Sequence, residues 1–215
     1  MINLKKKLFF FIFVFLLINS FFLSIKSELN NKILVKVGNE IITSLDLQNE
    51  IITNLVINKQ DINQQNINQI KDYSVKKLIN KKIKQIEVNK YEIKDYNKKD
   101  LNNYLLNIAS SRFETNILGL KDIFKKNDIS FNTFSKNFEI ELLWNTLIFS
   151  MYKNQTNINL VEVENEINKY KDNKTIEELA EIKKKILDQK KQEKLNLFSR
   201  SHFSNLENSI QINFL

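Results

Sequence analysis

The amino-acid sequence predicts a mainly α fold of about six helices, with a small β-ribbon made by strands near the two ends of the chain. Apolar residues recur at three- and four-residue spacing through most of the 215 residues, which is the period of a helix packed on one face. Strand-like alternation occurs only in "ILVKVGNEIIT", residues 33–43, and in "SIQINF", residues 209–214. The composition, 42% hydrophobic and 27% charged, is that of a globular domain.

The two strand-like stretches predict a ribbon that joins distant parts of the chain. Ile33–Val37 is followed by Gly38-Asn39, a dipeptide suited to a tight turn, and then by a second short strand. A hairpin of this size is not stable alone in water, so it needs a further partner. The strand predicted at Ile210–Phe214 is the only candidate, and we expect it to lie beside Ile33–Val37. We also expect a positive φ at Gly38.

Helical periodicity and capping residues place the helices between these strands. Thr43 or Ser44 can cap a helix through "LDLQNEIITNLVI". Apolar residues cover well over half of the surface of a helix from Phe131 to Tyr152, so we expect it to be the buried centre of the domain. The middle of the last helix, "DQKKQEK", has no apolar residue, and we expect it to be solvated on all sides. The remaining helices are predicted at 67–90, from Leu101, from Ile117 to about Asn127, through "LVEVENEINKY" at 160–170, and from Ile176 to Glu207.

The start of the chain has the layout of a secretory signal peptide. Lys5, Lys6 and Lys7 precede an apolar run from Leu8 to Leu23, and the short segment "SIKS" follows it. We therefore predict a signal peptide at residues 1–27 and a helical domain at residues 28–170. Residues 171–215 are predicted to supply a long helix and a strand that complete the same core. After cleavage we expect an exported protein with no stable membrane insertion.

An alternative interpretation keeps residues 8–23 as an uncleaved anchor. The protein would then be a membrane-anchored periplasmic scaffold whose helices bind one dedicated partner. The length of the mature protein distinguishes the two, because cleavage removes the first 27 residues.

The positive charge of the chain does not indicate a nucleic-acid binder. The net charge is +8, but Lys, Asn, Ile and Phe are all abundant while glycine and proline are nearly absent, which is the residue usage of an AT-rich genome. Residues 1–27 hold four lysines and no acid, so the mature charge is 8 − 4 = +4. A basic binder of nucleic acid or anionic lipid is a rival reading, and a steep salt dependence of binding would favour it.

The sequence offers no set of residues that indicates catalysis, a cofactor or a metal site. It has no cysteine, and its two glycines are too few for a phosphate-binding loop. The single histidine, His202, lies on the last predicted helix without the pattern of a catalytic triad. We therefore expect a protein that is not an enzyme and that uses no cofactor or metal.

Five segments, in order, resemble SurA-type periplasmic chaperones. The opening "ILVKVGNEIITSLDLQNEI" is similar to the strand, turn, strand and capped helix that begin the mature family members. The resemblance continues to residue 215, and trigger-factor C-terminal domains share the same core organisation more loosely. The other four segments are "VKKLINKKIKQIEVNKYEIK", "ISFNTFSKNFEIELLWNTLI", "NINLVEVENEINKY" and "SNLENSIQINFL".

The chain departs from that family in one large respect. Between Tyr170 and Thr175 it has only "KDNK", where family members usually carry one or two parvulin-type prolyl isomerase domains. The resemblance therefore implies the chaperone core without isomerase activity. A smaller departure is Asp128, where the family commonly has glycine, although Asn127-Asp128 can make the same turn.

The resemblance implies a periplasmic, ATP-independent holdase chaperone that binds unfolded outer-membrane β-barrel proteins. Its partners would be unfolded polypeptides, held in a groove between helices. As peptide-binding residues we select four aromatic side chains that lie off the strongest core positions: Phe113, Phe149, Tyr152 and Phe198.

Overall fold

The computed structural model describes residues 31–171 and 174–215. The predicted signal peptide at residues 1–27, and with it the alternative anchor at 8–23, lies outside the described residues. Lys32–Leu215 forms one compact unit. Within the described ranges the fold is mainly helical with one small sheet, as predicted, and it has seven helices where about six were expected.

The elements follow one another with short connections. Three strands form the sheet: β1 (Ile33–Val37), β2 (Glu40–Thr43) and β3 (Ile212–Phe214). The helices are α1 (Ser44–Ile57), α2 (Gln64–Lys90), α3 (Lys98–Phe113), α4 (Ile117–Lys126), α5 (Phe131–Tyr152), α6 (Leu160–Asn168) and α7 (Ile176–Ser209), and a single 3₁₀ turn, Lys153–Gln155, follows α5.

Pairing of β1 with β3 confirms that the two ends of the described chain meet in one sheet. Strand β1 is central, and β2 and β3 lie antiparallel on its two sides. In the second pairing Val35 lies opposite Phe214 and Val37 lies opposite Ile212. The predicted strand began two residues too early, because Ile210 instead ends α7, its N–H bonded to the Leu206 carbonyl at 2.9 Å.

The turn between β1 and β2 has the predicted backbone. Gly38 has φ +53°, and its N–H donates to the Gln211 carbonyl at 2.9 Å, so the turn is also part of the junction with β3. Asp128 has φ +55° and makes the left-handed turn between α4 and α5 that glycine would make more easily.

Side chains at the helix starts fix where each helix begins. Thr43, the residue before α1, forms a capping box with Asp46, and Thr175 forms one with Glu178 at the start of α7. The Ser130 hydroxyl accepts from the Thr133 N–H at 3.2 Å and begins α5. These caps satisfy N–H groups that have no partner within a helix.

Three groups of buried side chains hold the body together, and α5 takes part in two of them. The first lies between the sheet, α1 and α2 and includes Val37. The second joins α3, α4 and the N-terminal half of α5 around Phe124. The third surrounds Trp144 on α5, with the end of α2 and the C-terminal half of α7. Helix α5 contacts α2, α3, α4 and α7, which confirms it as the buried centre.

Helix α6 packs on the N-terminal half of α7 through Val163, Ile167 and Ile186. The middle of α7 was expected to be solvated on all sides, but one side of it contacts other parts of the chain. Lys190 there pairs with Glu166 at 3.3 Å, and Lys194 donates to the Asn157 carbonyl. Long lysine stems cover apolar surface while their ammonium groups reach polar partners, so a segment without apolar residues still packs.

We predict that Gly38→Ala destabilises the protein by about 1 kcal/mol, because an L-residue resists the left-handed backbone. The nearest side-chain atom to an added Cβ, Cδ1 of Ile86, is 3.5 Å away, so space is not the obstacle. Urea unfolding measures the effect. Gly38→Asn is the matched control and should lose less stability, since asparagine tolerates this conformation. Equal or greater stability of the alanine variant would contradict the role of the turn.

Candidate functional site

A cleft opens between α1 and α2 on one side and α5 on the other, and we call it the α5 cleft. It consists of two adjoining open cavities of about 100 and 110 Å³ that share Glu50, Thr53, Lys81, Phe134 and Asn137. The first extends towards β2 and the turn before α5, and the second extends towards α3. Two connected cavities make an elongated site.

The walls of the α5 cleft are apolar and aromatic. Tyr104 on α3 stacks on Phe138 with ring centroids 3.5 Å apart and planes within 3° of parallel, and Phe134 lies beside Tyr104 at 6.2 Å. Burial raises the pKa of Tyr104, so its hydroxyl stays a hydrogen-bond donor near neutral pH. The aliphatic part of the walls comprises Ile42, Leu78, Ile129 and Ile140.

Neutral polar side chains lie among these apolar residues. Amides and hydroxyls can each donate or accept, so they can bond to the N–H and C=O groups of an extended chain whatever its sequence. The set consists of Asn49, Thr53, Gln85, Ser130, Thr133 and Asn137. A surface that alternates apolar contacts with neutral hydrogen-bonding groups can bind a segment of polypeptide through both its side chains and its main chain.

The floor of the α5 cleft carries a buried carboxylate with several partners. Glu50 on α1 is 5% exposed, and its carboxylate accepts from Lys77 at 2.6 Å and from Asn54 at 3.1 Å. The ammonium of Lys81 lies 3.4 Å from its other oxygen. Burial acts to raise the pKa of Glu50, but the charges of Lys81 and Lys77 and the hydrogen bonds outweigh it, so this pKa lies below its usual range.

Lys81 on α2 has fewer polar partners than Glu50 to offset its loss of hydration. The residue is 8% exposed and lines both cavities, and among residues 31–171 and 174–215 its ammonium makes one long hydrogen bond, to Glu50 at 3.4 Å. Burial lowers the pKa of Lys81, and the charge and hydrogen bond of Glu50 do not fully oppose this. The site therefore holds a cation that has lost most of its hydration and shares the carboxylate of Glu50 with Lys77.

Two of the four aromatic residues selected from the sequence lie against each other, outside the α5 cleft. Tyr152 at the end of α5 stacks on Phe198 of α7, with ring centroids 4.9 Å apart. Phe149, one turn before Tyr152, is 54% exposed, and the ammonium of Lys153 lies 5.9 Å from its ring centroid. Phe113 is remote from them and packs at the edge of the group around Phe124.

His202 has partners that the sequence did not indicate. Its Nδ1 lies 2.9 Å from the hydroxyl of Tyr152, and its Nε2 lies 3.1 Å from the buried carboxylate of Glu87. Nearby, the indole N–H of Trp144 donates to the Ser199 hydroxyl at 2.9 Å. These bonds fasten α7 to α2 and α5. The order of groups resembles a catalytic triad, but it requires a tyrosine hydroxyl packed against Phe198 as the nucleophile, and we interpret it as structural.

Sequence reasoning missed Glu50, Lys81 and Glu87 as important residues. A signal was available for the first two, because each lies three residues from a buried leucine, Leu47 or Leu78, on the apolar side of its helix. A charged residue on the apolar side of a helix indicates a buried ion pair or a functional site. Helical spacing could not reveal the partners of Glu50 and Glu87. The partner lies more than 30 positions away for Glu50 and more than 100 for Glu87.

Metal ligands and membrane-spanning helices were sought in residues 31–171 and 174–215. No group of three His, Cys, Asp or Glu side chains in these ranges is arranged to hold a metal ion. None of the helices there combines the length and apolar character needed to cross a bilayer.

We predict that Glu50→Gln destabilises the protein by about 3 kcal/mol at pH 7, since it leaves the buried Lys81 without a counter-charge. The pKa of Glu50 lies below 4.5 in the fold, so its stabilising effect is present above that pH and is lost as the pH falls through the lowered value. The difference between wild type and variant should therefore shrink below pH 4.5 in urea unfolding. The matched control, Glu164→Gln at an exposed ion pair, should change little; a similar loss there would contradict the special role of Glu50.

We predict that His202→Ala destabilises the protein by about 2 kcal/mol, because it removes a hydrogen-bonding partner from the buried carboxylate of Glu87. Arg200→Ala, at an exposed position of the same helix, is the control and should lie within about 0.5 kcal/mol of wild type. The midpoint of urea unfolding reports both. If the two variants unfold at the same midpoint, the bonds of His202 do not hold α7 in place.

Comparison with known proteins leaves the chain without an assigned family. No protein-family model matches it, and no curated protein matches it significantly. The likeness to SurA-type chaperones is a prediction from the five sequence segments.

Proposed function

We propose that this protein is an ATP-independent holdase chaperone that binds unfolded polypeptide in the α5 cleft. The observation that carries the proposal is the cleft itself, two adjoining cavities with aromatic walls and interspersed amide and hydroxyl groups. The sequence resemblance supplies the expected setting, the periplasm, and the expected clients, unfolded outer-membrane β-barrel proteins. It implies no isomerase activity, since only four residues replace the isomerase domain.

The lining of the α5 cleft supports binding of many sequences. Apolar and aromatic side chains gain free energy from any apolar residue that leaves water, and this effect has no directional requirement. Asn137, between the two cavities, can donate to and accept from a main chain. Side-chain contacts of this kind discriminate little between clients, which is what a holdase needs.

Binding should be reversible and of modest affinity. An unfolded client loses conformational entropy when a segment is ordered, and only the surplus contact energy appears as affinity. A held β-strand cannot pair edge to edge with another strand, so aggregation is suppressed without ATP or bond chemistry.

Phe149, Tyr152 and Phe198 support a second contact region for a long client. Phe149 is more than half exposed, and Leu197, next to Phe198 on α7, is 63% exposed. An unfolded chain is long enough to occupy the α5 cleft and this aromatic surface together, and two weak contacts on one chain strengthen each other.

We predict that the purified protein suppresses aggregation of a urea-denatured β-barrel protein at near-stoichiometric ratio, measured by light scattering after dilution. A proline-containing peptide should isomerise no faster in its presence. No suppression at several-fold excess would refute the holdase function, and measurable isomerase activity would mean that a catalytic site has been missed.

Asn137→Trp tests whether the α5 cleft is the binding site. A tryptophan there fills the space that joins the two cavities, so several-fold more protein should be required for half-maximal suppression. Lys136→Trp is the matched control, because it places the same side chain on an exposed position of the same helix. Equal activity of both variants would place client binding elsewhere.

A further inference from the structure

We propose that the α5 cleft contains a carboxylate-binding site at Lys81, which recognises an acidic group next to an aromatic or apolar residue in the bound polypeptide. This inference rests on the proposed function, because it names a chemical preference of the same cleft. The site is formed by the ammonium of Lys81, with the aromatic wall of Phe134, Phe138 and Tyr104 beside it.

The first support is the balance of charge on the cleft floor. Two ammonium groups, from Lys77 and Lys81, face one carboxylate, from Glu50. Lys77 has the closer contact, at 2.6 Å compared with 3.4 Å, and it also donates to Asn54 at 3.2 Å. Lys77 contacts one oxygen of the Glu50 carboxylate and Lys81 the other, so a single carboxylate serves two ammonium groups and the cleft floor carries one positive charge in excess.

The other charged side chains that line the α5 cleft have their own partners. Lys82 pairs with Glu40 at 2.9 Å, and Glu141 pairs with Lys84. Asp46, the remaining acid, is bonded within the capping box of α1. Within the part of the chain that the structure describes, these acids bond to groups other than Lys81 and do not balance its charge.

The second support is the unused hydrogen-bonding capacity of Lys81. An ammonium has three N–H donors, and in the described residues this one has a single hydrogen bond, of 3.4 Å, to protein. The residue is more than nine-tenths buried and borders both cavities. Burial lowers the pKa of Lys81, and Glu50 opposes this only in part. A bound acceptor in the cleft would satisfy the remaining donors.

A carboxylate fits this deficit better than a neutral carbonyl. A charge-assisted hydrogen bond is shorter and about twice as strong as a neutral one. A carboxylate also restores the balance to two anions against two cations, which a carbonyl cannot do. The neighbouring aromatic rings of Tyr104 and Phe138 favour an aromatic or apolar residue next to the acidic one.

Three short peptides test the proposal by isothermal titration calorimetry at low salt. The first has Glu between two Phe residues with both termini blocked, the second has Gln in place of Glu, and the third is the Gln peptide with a free C-terminal carboxylate. We expect the Glu peptide to bind about tenfold more tightly than the blocked Gln peptide. Tight binding of the third peptide instead would assign the same Lys81 site to chain termini.

Lys81→Met keeps the aliphatic stem and should reduce the preference for the carboxylate to within twofold. Lys76→Met is the matched control, since Lys76 is an exposed lysine of the same helix outside the lining of the α5 cleft, and it should keep the preference. Circular dichroism of both variants checks that the fold is retained. If Lys81→Met does not fold, binding of the three peptides to the wild-type protein still tests whether the cleft prefers a carboxylate.

Equal binding of all three peptides to wild type would overturn this inference while leaving the holdase function to the aggregation assay. A preference that survives in Lys81→Met would also overturn it, because another group would then supply the charge. If no peptide binds while aggregation is still suppressed, the carboxylate site is wrong and the chaperone function stands.

Discussion

Antiparallel pairing of β3 with β1 is the interaction on which the rest of this fold depends. It joins residues that are more than 170 positions apart, and the Gly38 turn contributes its N–H to the same junction. The pairing holds the end of α7 against the body, where Trp144 and His202 bond it to α5 and α2. Long-range contacts of this kind cost loop-closure entropy, which the buried groups around Val37 and Trp144 must offset.

The α5 cleft lies where two groups of helices meet without close packing. Helices α1 and α2 bury their apolar faces under the sheet, and the N-terminal half of α5 packs on α3 and α4. The two groups of helices meet along a line that side chains do not fill, and Glu50 and Lys81 lie at its base. Buried charges usually reduce stability compared with apolar residues of similar size, and the proposed binding of polypeptide in the cleft gives Glu50 and Lys81 a role beyond stability.

Helical periodicity and capping residues were sufficient to predict most of the fold, because those signals are local. The helix from Phe131 to Tyr152 was predicted from its apolar periodicity, and the terminal strands were paired because a short hairpin needs a further strand. The structure has both features. The resemblance implied a groove between helices, but its position was not predicted, since the α5 cleft is an absence of packing between helices that are distant in sequence. Of the four aromatic residues selected from the sequence, Tyr152 and Phe198 contact each other. The spacing of the aromatic residues did not identify Glu50 and Lys81 as the floor of the cleft.

Methyl NMR with isoleucine-labelled protein tests most directly whether unfolded polypeptide occupies the α5 cleft. Ile42, Ile129 and Ile140 line it, whereas Ile167 and Ile186 lie between α6 and α7 and serve as internal controls. Addition of an unfolded β-barrel client should shift or broaden the three cleft methyl signals and leave the two controls unchanged. Changes confined to the controls, with the cleft signals unmoved, would contradict the account.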